Sequence, residues 1–182
     1  SNWWNTMLVD RGSEDGIKRD MPVLTMEGLV GKTIEVTKNN ARVILIIDEN
    51  SRVPGLLLES AQYGIIQGNA LAGGKTSQCR MTFLNRSAQI KPNDRVFTSG
   101  LGAAAAGLEA VFPKRIFIGT VSSIATAPAS VKSTLYQEIS ITPAVDFARI
   151  DEVFIGVGVK AAAVKKPASL TSKKAPTAPA SQ

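Results

Sequence analysis

The amino-acid sequence predicts an all-β protein made of two small β-barrel-like subdomains followed by a disordered C-terminal tail. Short runs of β-branched and aliphatic residues recur between glycines, and long apolar stripes with helical spacing are missing. An internal repeat of one β unit predicts that the two subdomains are similar. We therefore expect a first subdomain over residues 1–73, a second over residues 74–159 and the tail over residues 160–182.

The repeat centres on the stretch from Asp94 to Val121, which reads D-R-V-F-T-S-G-L-G, then an alanine-rich insert, then V-F-P-K-R-I-F-I-G-T-V. Its β-forming residues on both sides of the glycines predict a strand, a tight turn and a second strand. The stretch from Ile17 to Val36 has the same layout, with an Ile-Lys turn, a short apolar strand, a glycine reversal and a second strand. We expect five turn glycines in these units: Gly28, Gly31, Gly100, Gly102 and Gly119. Of these, Gly100 and Gly102 can take the positive φ that a tight reversal needs.

The other strands follow from β-branched and alternating residues along the chain. Ala41–Asp48 has an almost continuous β-branched run, which predicts a central strand covered on both faces. The glycine-bearing residues 68–77 predict the boundary between the subdomains. Further strands are expected at Thr6–Val9, Pro22–Met26, Leu29–Lys38, Val53–Ser60, Gly64–Gln67, Cys79–Leu84, Leu135–Thr142 and Val153–Val159.

The formal net charge of +6 belongs to the tail and not to the predicted folded part. Residues 160–182 contain five lysines and no acidic residue, so residues 1–159 carry 16 basic and 15 acidic residues, a net charge of +1. Such a nearly neutral body predicts no nucleic-acid partner. A separate hypothesis is that the lysine tail binds an anionic polymer or lipid.

The sequence offers little catalytic chemistry, because it contains no histidine and a single cysteine, Cys79. The lack of histidine excludes Ser-His-Asp and Cys-His catalysis and most catalytic zinc sites, and one cysteine excludes an intramolecular disulfide and a structural zinc site. G-K-T at 31–33 and at 74–76 imitates the end of a phosphate-binding loop, but Met26 and Asn69 stand where that loop needs its first glycine. We therefore predict no cofactor, no metal and no enzymatic activity.

Two interpretations of the central stretch remain open. A barrel-fold hydrolase with an unusual serine site would use Ser99 with Lys114 as its base, although no sequence feature orients this pair. The alternative is a partner-binding edge formed by Phe112, Pro113, Lys114 and Arg115. A plainer explanation is that Phe112 belongs to the core and that the insert before it is a tolerated loop, because loop length costs little entropy.

Seven short motifs carry a family resemblance over roughly residues 5–158. In chain order they are V-D-R-G-S-E-D-G-I-K-R-D-M-P-V from Val9, G-L-V-G-K from Gly28, S-R-V-P from Ser51, T-S-G-L-G from Thr98, F-P-K from Phe112, I-G-T-V from Ile118 and P-A-V-D-F-A-R-I-D-E-V-F-I from Pro143. This ordered set resembles the MreC family of rod shape-determining proteins. The chain departs from the family where Ala103–Val111 separates T-S-G-L-G from F-P-K, so a partner contact made by that loop in relatives would differ here.

The resemblance implies the periplasmic or extracytoplasmic part of a bitopic inner-membrane protein whose anchoring helix lies upstream of Ser1. It implies two barrel-like subdomains and self-association into a homo-oligomer or filament. It also implies a scaffold that organises peptidoglycan synthesis and maintains cell shape, with the elongation transpeptidase (a penicillin-binding protein), MreB, MreD and RodA as partners. Within the sequence the longest clean aliphatic run is Val43–Ile47, so we expect no membrane helix inside these residues.

Overall fold

The computed structural model describes residues 5–69, 78–101, 111–125 and 136–156, which form eleven β-strands and one 3-10 helix at Ser13–Asp15. The all-β prediction is confirmed. No helix in these ranges is long and apolar enough to cross a membrane. The strands are β1 Thr6–Val9, β2 Pro22–Leu24, β3 Leu29–Val36, β4 Ala41–Leu45, β5 Val53–Leu57, β6 Gln62–Gly68, β7 Cys79–Asn85, β8 Arg95–Thr98, β9 Phe117–Ala125, β10 Tyr136–Pro143 and β11 Phe154–Ile155.

The strands form two antiparallel sheets. Six of them close into a barrel in the order β10-β7-β6-β5-β8-β9, with β9 pairing with β10 to complete the ring. The other five form an open sheet in the order β1-β4-β3-β2-β11. Barrel closure removes strand edges, whereas the open sheet keeps an edge at each end.

The internal repeat predicted from the sequence is confirmed by the register of the strands. In the first copy, β2 pairs with β3 so that Val23 lies opposite Gly31. In the second copy, β8 pairs with β9 so that Val96 lies opposite Gly119. A register shift of one residue follows each of these pairs, on the second strand of the hairpin. The two hairpins therefore share a β-bulge at the same position, which bends both in the same way.

The turns that precede the two hairpins are alike as well. The Asp20 N–H donates to the Thr33 carbonyl at 2.8 Å, and the Asn93 N–H donates to the Val121 carbonyl at 2.8 Å. Asp20 and Asn93 both adopt a left-handed φ, of 63° and 70°. Asp and Asn tolerate this conformation better than most other residues. A second bulge also follows Thr33 in β3 and Val121 in β9.

The similarity extends to the strands that flank each hairpin. In the open sheet, β4 pairs with β3, the second strand of its hairpin, and β1 pairs with β4. In the barrel, β10 pairs with β9 in the same way, and β7 pairs with β10. On the other side of each hairpin, β11 pairs with the first strand β2, and β5 pairs with the first strand β8. All five strands of the open sheet thus have counterparts in the barrel. β6 has none in the described part of the chain, and it is the strand that joins β5 to β7 and closes the barrel.

The two sheets do not divide the chain at residue 73, where the sequence predicted the boundary between the subdomains. β5 and β6 precede this residue but belong to the barrel, whereas β11 follows it and pairs with β2 in the open sheet. The prediction assigned strands to sheets by their order along the chain, since consecutive strands usually pair. The pairing of Phe154 with Leu24 joins residues far apart in sequence, and local patterns do not encode such partners.

Several sequence predictions lie outside the described residues. They concern the boundary loop at 70–77, Gly102 with residues 103–110 of the insert, and the C-terminal tail at 160–182. The last predicted strand is described only as far as residue 156, and its observed part is β11.

Gly31 and Gly119 lie inside β3 and β9, so their prediction as turn glycines is wrong. A Cβ at position 31 would overlap the Ile44 carbonyl of β4, and a Cβ at position 119 would overlap the Thr142 carbonyl of β10. Glycine is required at both positions because the backbone of the neighbouring strand approaches too closely for any side chain.

The two sheets pack against each other, although each has its own hydrophobic cluster. Ile47, which follows β4, and Phe147, which follows β10, pack against both clusters. Gly28, in the turn between β2 and β3, also contacts the barrel, since a Cβ there would lie 2.5 Å from the Phe117 carbonyl oxygen of β9. The segments after the matching strands β4 and β10 therefore help to join the sheets.

Cys79 is buried in the barrel core, where its Sγ donates to the Ile46 carbonyl at 3.4 Å. Burial raises the pKa of the Cys79 thiol to about 12. The thiolate is the reactive form of cysteine, so this side chain is a structural core residue of the barrel.

We expect Gly31→Ala and Gly119→Ala each to lower the free energy of unfolding by at least about 2 kcal/mol, because the neighbouring backbone must move. Ser123→Ala, on an exposed part of β9, is the matched control and should change it by less than about 0.5 kcal/mol. Urea unfolding measures all three. Wild-type stability of the two glycine variants would contradict the close approach of the strands.

We expect Cys79 to resist alkylation by iodoacetamide at pH 8 in the folded chain, because its thiolate is scarce and inaccessible. The same residue should react fully in denaturing guanidinium chloride, which serves as the control. Mass spectrometry of the intact chain reports the modified fraction. Modification of the native chain as fast as that of an unfolded chain would show that the site is open.

Candidate functional site

The predicted partner-binding segment at 112–115 leads into β9, and its four side chains do not share one environment. Phe112 is 4% exposed and belongs to the barrel core, so its prediction as a partner-binding residue is wrong. Pro113 is half-buried, whereas Lys114 and Arg115 are exposed. The plainer explanation from the sequence, that Phe112 is a core residue, is confirmed. Two charged side chains of this segment remain available to a partner.

Thr98, at the end of β8, fixes the backbone of this segment. Its buried hydroxyl donates to the Pro113 carbonyl and accepts from the Ile116 N–H at 2.9 Å. The Thr98 N–H donates to the Ile116 carbonyl at 2.8 Å, and the Arg115 N–H donates to the Thr98 carbonyl at 2.9 Å. One threonine therefore satisfies backbone groups on both sides of Lys114 and Arg115, which holds these residues in one conformation.

A second loop lies against the same segment. Gly100 has a left-handed φ of 69°, and a Cβ there would lie 2.6 Å from the Lys114 Cβ. This contact leaves room for no side chain at position 100 and presses the loop onto Lys114. Leu101 follows and is exposed. We call Leu101, Lys114 and Arg115 the loop surface.

Ser99, the candidate nucleophile of the hydrolase hypothesis, is buried beneath this surface. Its N–H donates to the Pro54 carbonyl at 2.9 Å, and its Oγ accepts from the Leu101 N–H at 3.2 Å. Within the described residues the structure shows no hydrogen bond between Ser99 and Lys114. An activated nucleophile needs a base within hydrogen-bond reach. The arrangement of Ser99 is that of a turn-stabilising hydroxyl.

An exposed aromatic pair on the barrel was not predicted from the sequence. Phe83 of β7 is 62% exposed and Tyr136 of β10 is 56% exposed, and their rings meet edge to face with centroids 5.9 Å apart. Tyr63, on the neighbouring strand β6, is also exposed. Large exposed aromatic side chains close together are typical of surfaces that bind other proteins. We call Phe83 and Tyr136 the aromatic pair.

A β-bulge explains why sequence reasoning missed Phe83. Strict alternation along β7 would place it on the same inward face as the buried Cys79 and Met81. In the structure Gln137 of β10 pairs with Leu84 and Ile139 pairs with Met81, so β7 has one residue more than β10 between these pairs. Phe83 adopts a left-handed φ of 64° there, which turns its ring outward and leaves Leu84 buried. No sequence signal marks this bulge.

The loop surface and the aromatic pair lie at opposite ends of the β9–β10 hairpin. Lys114 and Arg115 precede the start of β9, where Gly119 pairs with Pro143. Tyr136 begins β10, next to the pairing of Glu138 with Ala125 at the other end. The described ranges contain no group of three or more acidic or cysteine side chains that could hold a metal ion. Because the two surfaces lie apart, they can be altered independently.

Comparison with known proteins identifies relatives along the described chain. The family model for the rod shape-determining protein MreC, barrel core, matches residues 1–157. The cell shape-determining protein MreC of Listeria monocytogenes is 30% identical over 158 residues, which are 85% of this chain and 49% of that protein. The corresponding protein of Caulobacter vibrioides is 36% identical over 115 residues, 58% of this chain and 32% of that protein. The chain spans about half the length or less of these two relatives.

Solved structures share the fold. A structure of MreC from Listeria monocytogenes is 30% identical, with a TM-score of 0.69 over 85% of this chain and 68% of that one. A structure described as the major periplasmic domain from the cell shape-determining filament MreC has 21% identity and a TM-score of 0.61, over 78% of both chains. A complex between a penicillin-binding protein (PBP2) and MreC from Helicobacter pylori matches with 20% identity and a TM-score of 0.55, over 74% of both chains. At these lower identities the likeness concerns the fold alone.

We expect Thr98→Val to lower the free energy of unfolding by about 1–3 kcal/mol, because it leaves the Pro113 carbonyl and the Ile116 N–H without their partner. Amide hydrogen exchange at residues 114–116 should also become faster. Thr142→Val, at an exposed position of β10, is the matched control and should stay within about 0.5 kcal/mol of wild type. Equal urea midpoints for Thr98→Val and wild type would contradict this role.

Proposed function

Because the chain belongs to the MreC family of rod shape-determining proteins, we propose that it is a non-catalytic scaffold that holds cell-wall synthesis enzymes in place during bacterial elongation. The family model covers the entire described region, and this observation carries the proposal. Relatives are named cell shape-determining proteins. The protein would act by binding, and its client would be an elongation transpeptidase of the penicillin-binding class.

The solved complex of a relative with a penicillin-binding protein supports this choice of client. The same comparison covers about three quarters of the present chain, which supports a common fold over that share of the two proteins. Another relative is described as a filament, which supports self-association of this chain as well. MreB, MreD and RodA belong to the same proposal as further members of the assembly. A periplasmic location is supported by the relative described as a periplasmic domain.

The chemistry of the described residues favours binding over catalysis. The sequence has no histidine, and Ser99 is buried with a backbone N–H on its Oγ. General-base activation of a serine requires a basic side chain that accepts the hydroxyl proton, and no such hydrogen bond from Ser99 is seen within the described residues. The conspicuous features of the surface are instead the aromatic pair and the loop surface. Aromatic and arginine side chains are the residue types that most often dominate the affinity of protein interfaces.

We propose the aromatic pair as the apolar anchor for the client. Phe83→Asn removes the ring but keeps a residue that tolerates the left-handed φ of 64°, so the variant should be at least as stable as wild type. Its affinity for the extracytoplasmic domain of the host's elongation transpeptidase should fall at least tenfold, about 1.4 kcal/mol. Isothermal titration with the whole chain measures the affinity. Unchanged affinity would remove the aromatic pair from the interface.

The loop surface is tested separately with the double variant Lys114→Glu and Arg115→Glu. Charge reversal should weaken the same titration at least tenfold and should reduce the dependence of the on-rate on salt, if an acidic client surface docks there. Lys91→Glu reverses another exposed charge on the barrel and is the matched control. If wild type binds saturably and none of these variants weakens the binding, the client must contact a different surface of this chain. Absence of any binding, with self-association intact in sedimentation, would overturn the choice of client.

A further inference from the structure

A row of aromatic and aliphatic side chains crosses the outside of the barrel from strand to strand. The cross-strand pairs establish this row, because residues directly opposite each other in a sheet share a face. Leu56 of β5 lies opposite Tyr63 of β6 on one side and opposite Phe97 of β8 on the other. Phe97 in turn lies opposite Phe117 of β9, and the centroids of these two rings are 5.3 Å apart.

The alternation along β5 shows that the row faces outward. Gly55 faces the barrel interior, since a Cβ there would meet the core side chains of Ile66 and Met81. The next residue, Leu56, therefore points outward. Leu56 is only 6% exposed, although it belongs to neither of the two hydrophobic clusters described above. It thus forms a buried apolar floor in the middle of the row, next to Tyr63.

The row continues from Tyr63 to the aromatic pair. Ile65, two residues after Tyr63 on β6, pairs with Thr82 of β7. Phe83 follows Thr82 and turns its ring outward at the bulge. Tyr63 is 49% exposed, which is comparable with both rings of the aromatic pair. Three exposed rings therefore follow one another on the neighbouring strands β6, β7 and β10. We call Tyr63, Phe83 and Tyr136 the aromatic triad.

Two ion pairs flank the aromatic triad and neutralise charges near it. Glu138, two residues after Tyr136 on β10, lies 3.9 Å from Arg80 of β7. Glu59, in the turn before β6, lies 2.8 Å from Arg95. An anionic lipid surface attracts clusters of unpaired basic side chains, which these pairs do not provide. The triad instead fits uncharged apolar side chains of a protein partner.

The area of the aromatic triad argues against a symmetric pair of chains. An aromatic side chain buries about 150–250 Å², so the exposed parts of these three rings amount to roughly 300 Å². Two copies docked triad to triad would bury only about 600 Å², whereas stable interfaces bury about 1,200–2,000 Å². A small cluster of rings surrounded by weaker contacts is instead typical of the centre of a larger interface.

We propose that the aromatic triad is one continuous surface that binds an uncharged apolar patch of the client, with Tyr63 as a contact residue in addition to the aromatic pair. The client is that of the proposed function, on which this inference rests. Leu56 is a positioning residue, since it supports the Tyr63 ring from below. Rings that are held in place before binding lose less entropy when a partner docks.

Tyr63→Thr tests the surface, because threonine removes the ring and keeps a β-forming side chain in β6. The whole chain is titrated with the extracytoplasmic domain of the host's elongation transpeptidase, and this variant should bind at least tenfold more weakly than wild type. The loss should be the same at about 0.05 M and about 0.5 M salt, because the contact is apolar. Phe154→Thr removes an exposed ring of the open sheet and is the matched control, which should keep wild-type affinity.

A double-mutant cycle tests the positioning role of Leu56. Leu56→Val shortens the side chain by one methylene group and should weaken client binding about threefold. The same change combined with Tyr63→Thr should cause no further loss, because the ring that Leu56 supports is gone. Urea midpoints of all variants show whether the fold is intact. An equal loss with and without the Tyr63 ring would show that Leu56 acts only on the structure and would overturn its positioning role.

Other outcomes overturn the inference in distinct ways. If Phe83→Asn weakens client binding and Tyr63→Thr does not, the aromatic pair acts alone and the proposed function stands. If Tyr63→Thr keeps wild-type affinity for the client but abolishes self-association in sedimentation, the triad is an interface between copies. If it keeps that affinity but abolishes binding to vesicles of anionic phospholipid, the triad contacts lipid. Absence of any client binding by wild type overturns the choice of client and this inference together.

Discussion

The close backbone contact at Gly31 and Gly119 is the constraint on which both sheets depend. At each glycine the second strand of a hairpin lies so near the third that no Cβ fits. A bulge lies before and after this contact in both copies, and bulges increase the local twist of a strand pair. Both sheets therefore curl in the same way, and a curled sheet either closes or brings its two edges to face each other.

One strand decides between these outcomes. β6 joins the two edges of the second sheet and makes a barrel, whereas the described residues supply no equivalent for the first sheet. The two halves consequently present different surfaces. A closed barrel offers a partner only side chains, such as the aromatic pair, because its backbone groups are used in the sheet. The open sheet keeps β1 and β11 as its two outer strands.

The buried polar groups near the loop surface serve structure. The hydroxyls of Thr98 and Ser99 are both bonded to backbone groups of neighbouring turns. Such bonds satisfy polar groups that would otherwise be costly to bury, and they hold Lys114 and Arg115 at the surface. A protein that acts by binding needs this kind of positioning, since an ordered side chain loses less entropy when a partner docks.

The sequence by itself determined the strands and their repetition, because β-branched runs and glycine spacing act over a few residues. β1 was predicted with its observed bounds, Thr6–Val9, and the two repeat units match in register and in their preceding turns. It also excluded histidine-based chemistry outright. Of the candidate site, Lys114 and Arg115 were placed at the surface as expected.

Only the tertiary structure decided which strands share a sheet and which side chains reach the surface. β5 and β6 belong to the barrel and β11 belongs to the open sheet, contrary to the predicted subdomains, because strand pairing joins residues distant in sequence. Phe112 is buried because it packs in the barrel core, and Phe83 is exposed because one extra residue in β7 turns it outward. A single inserted residue reverses the face of a side chain in a strand, and nothing in the local pattern records the insertion.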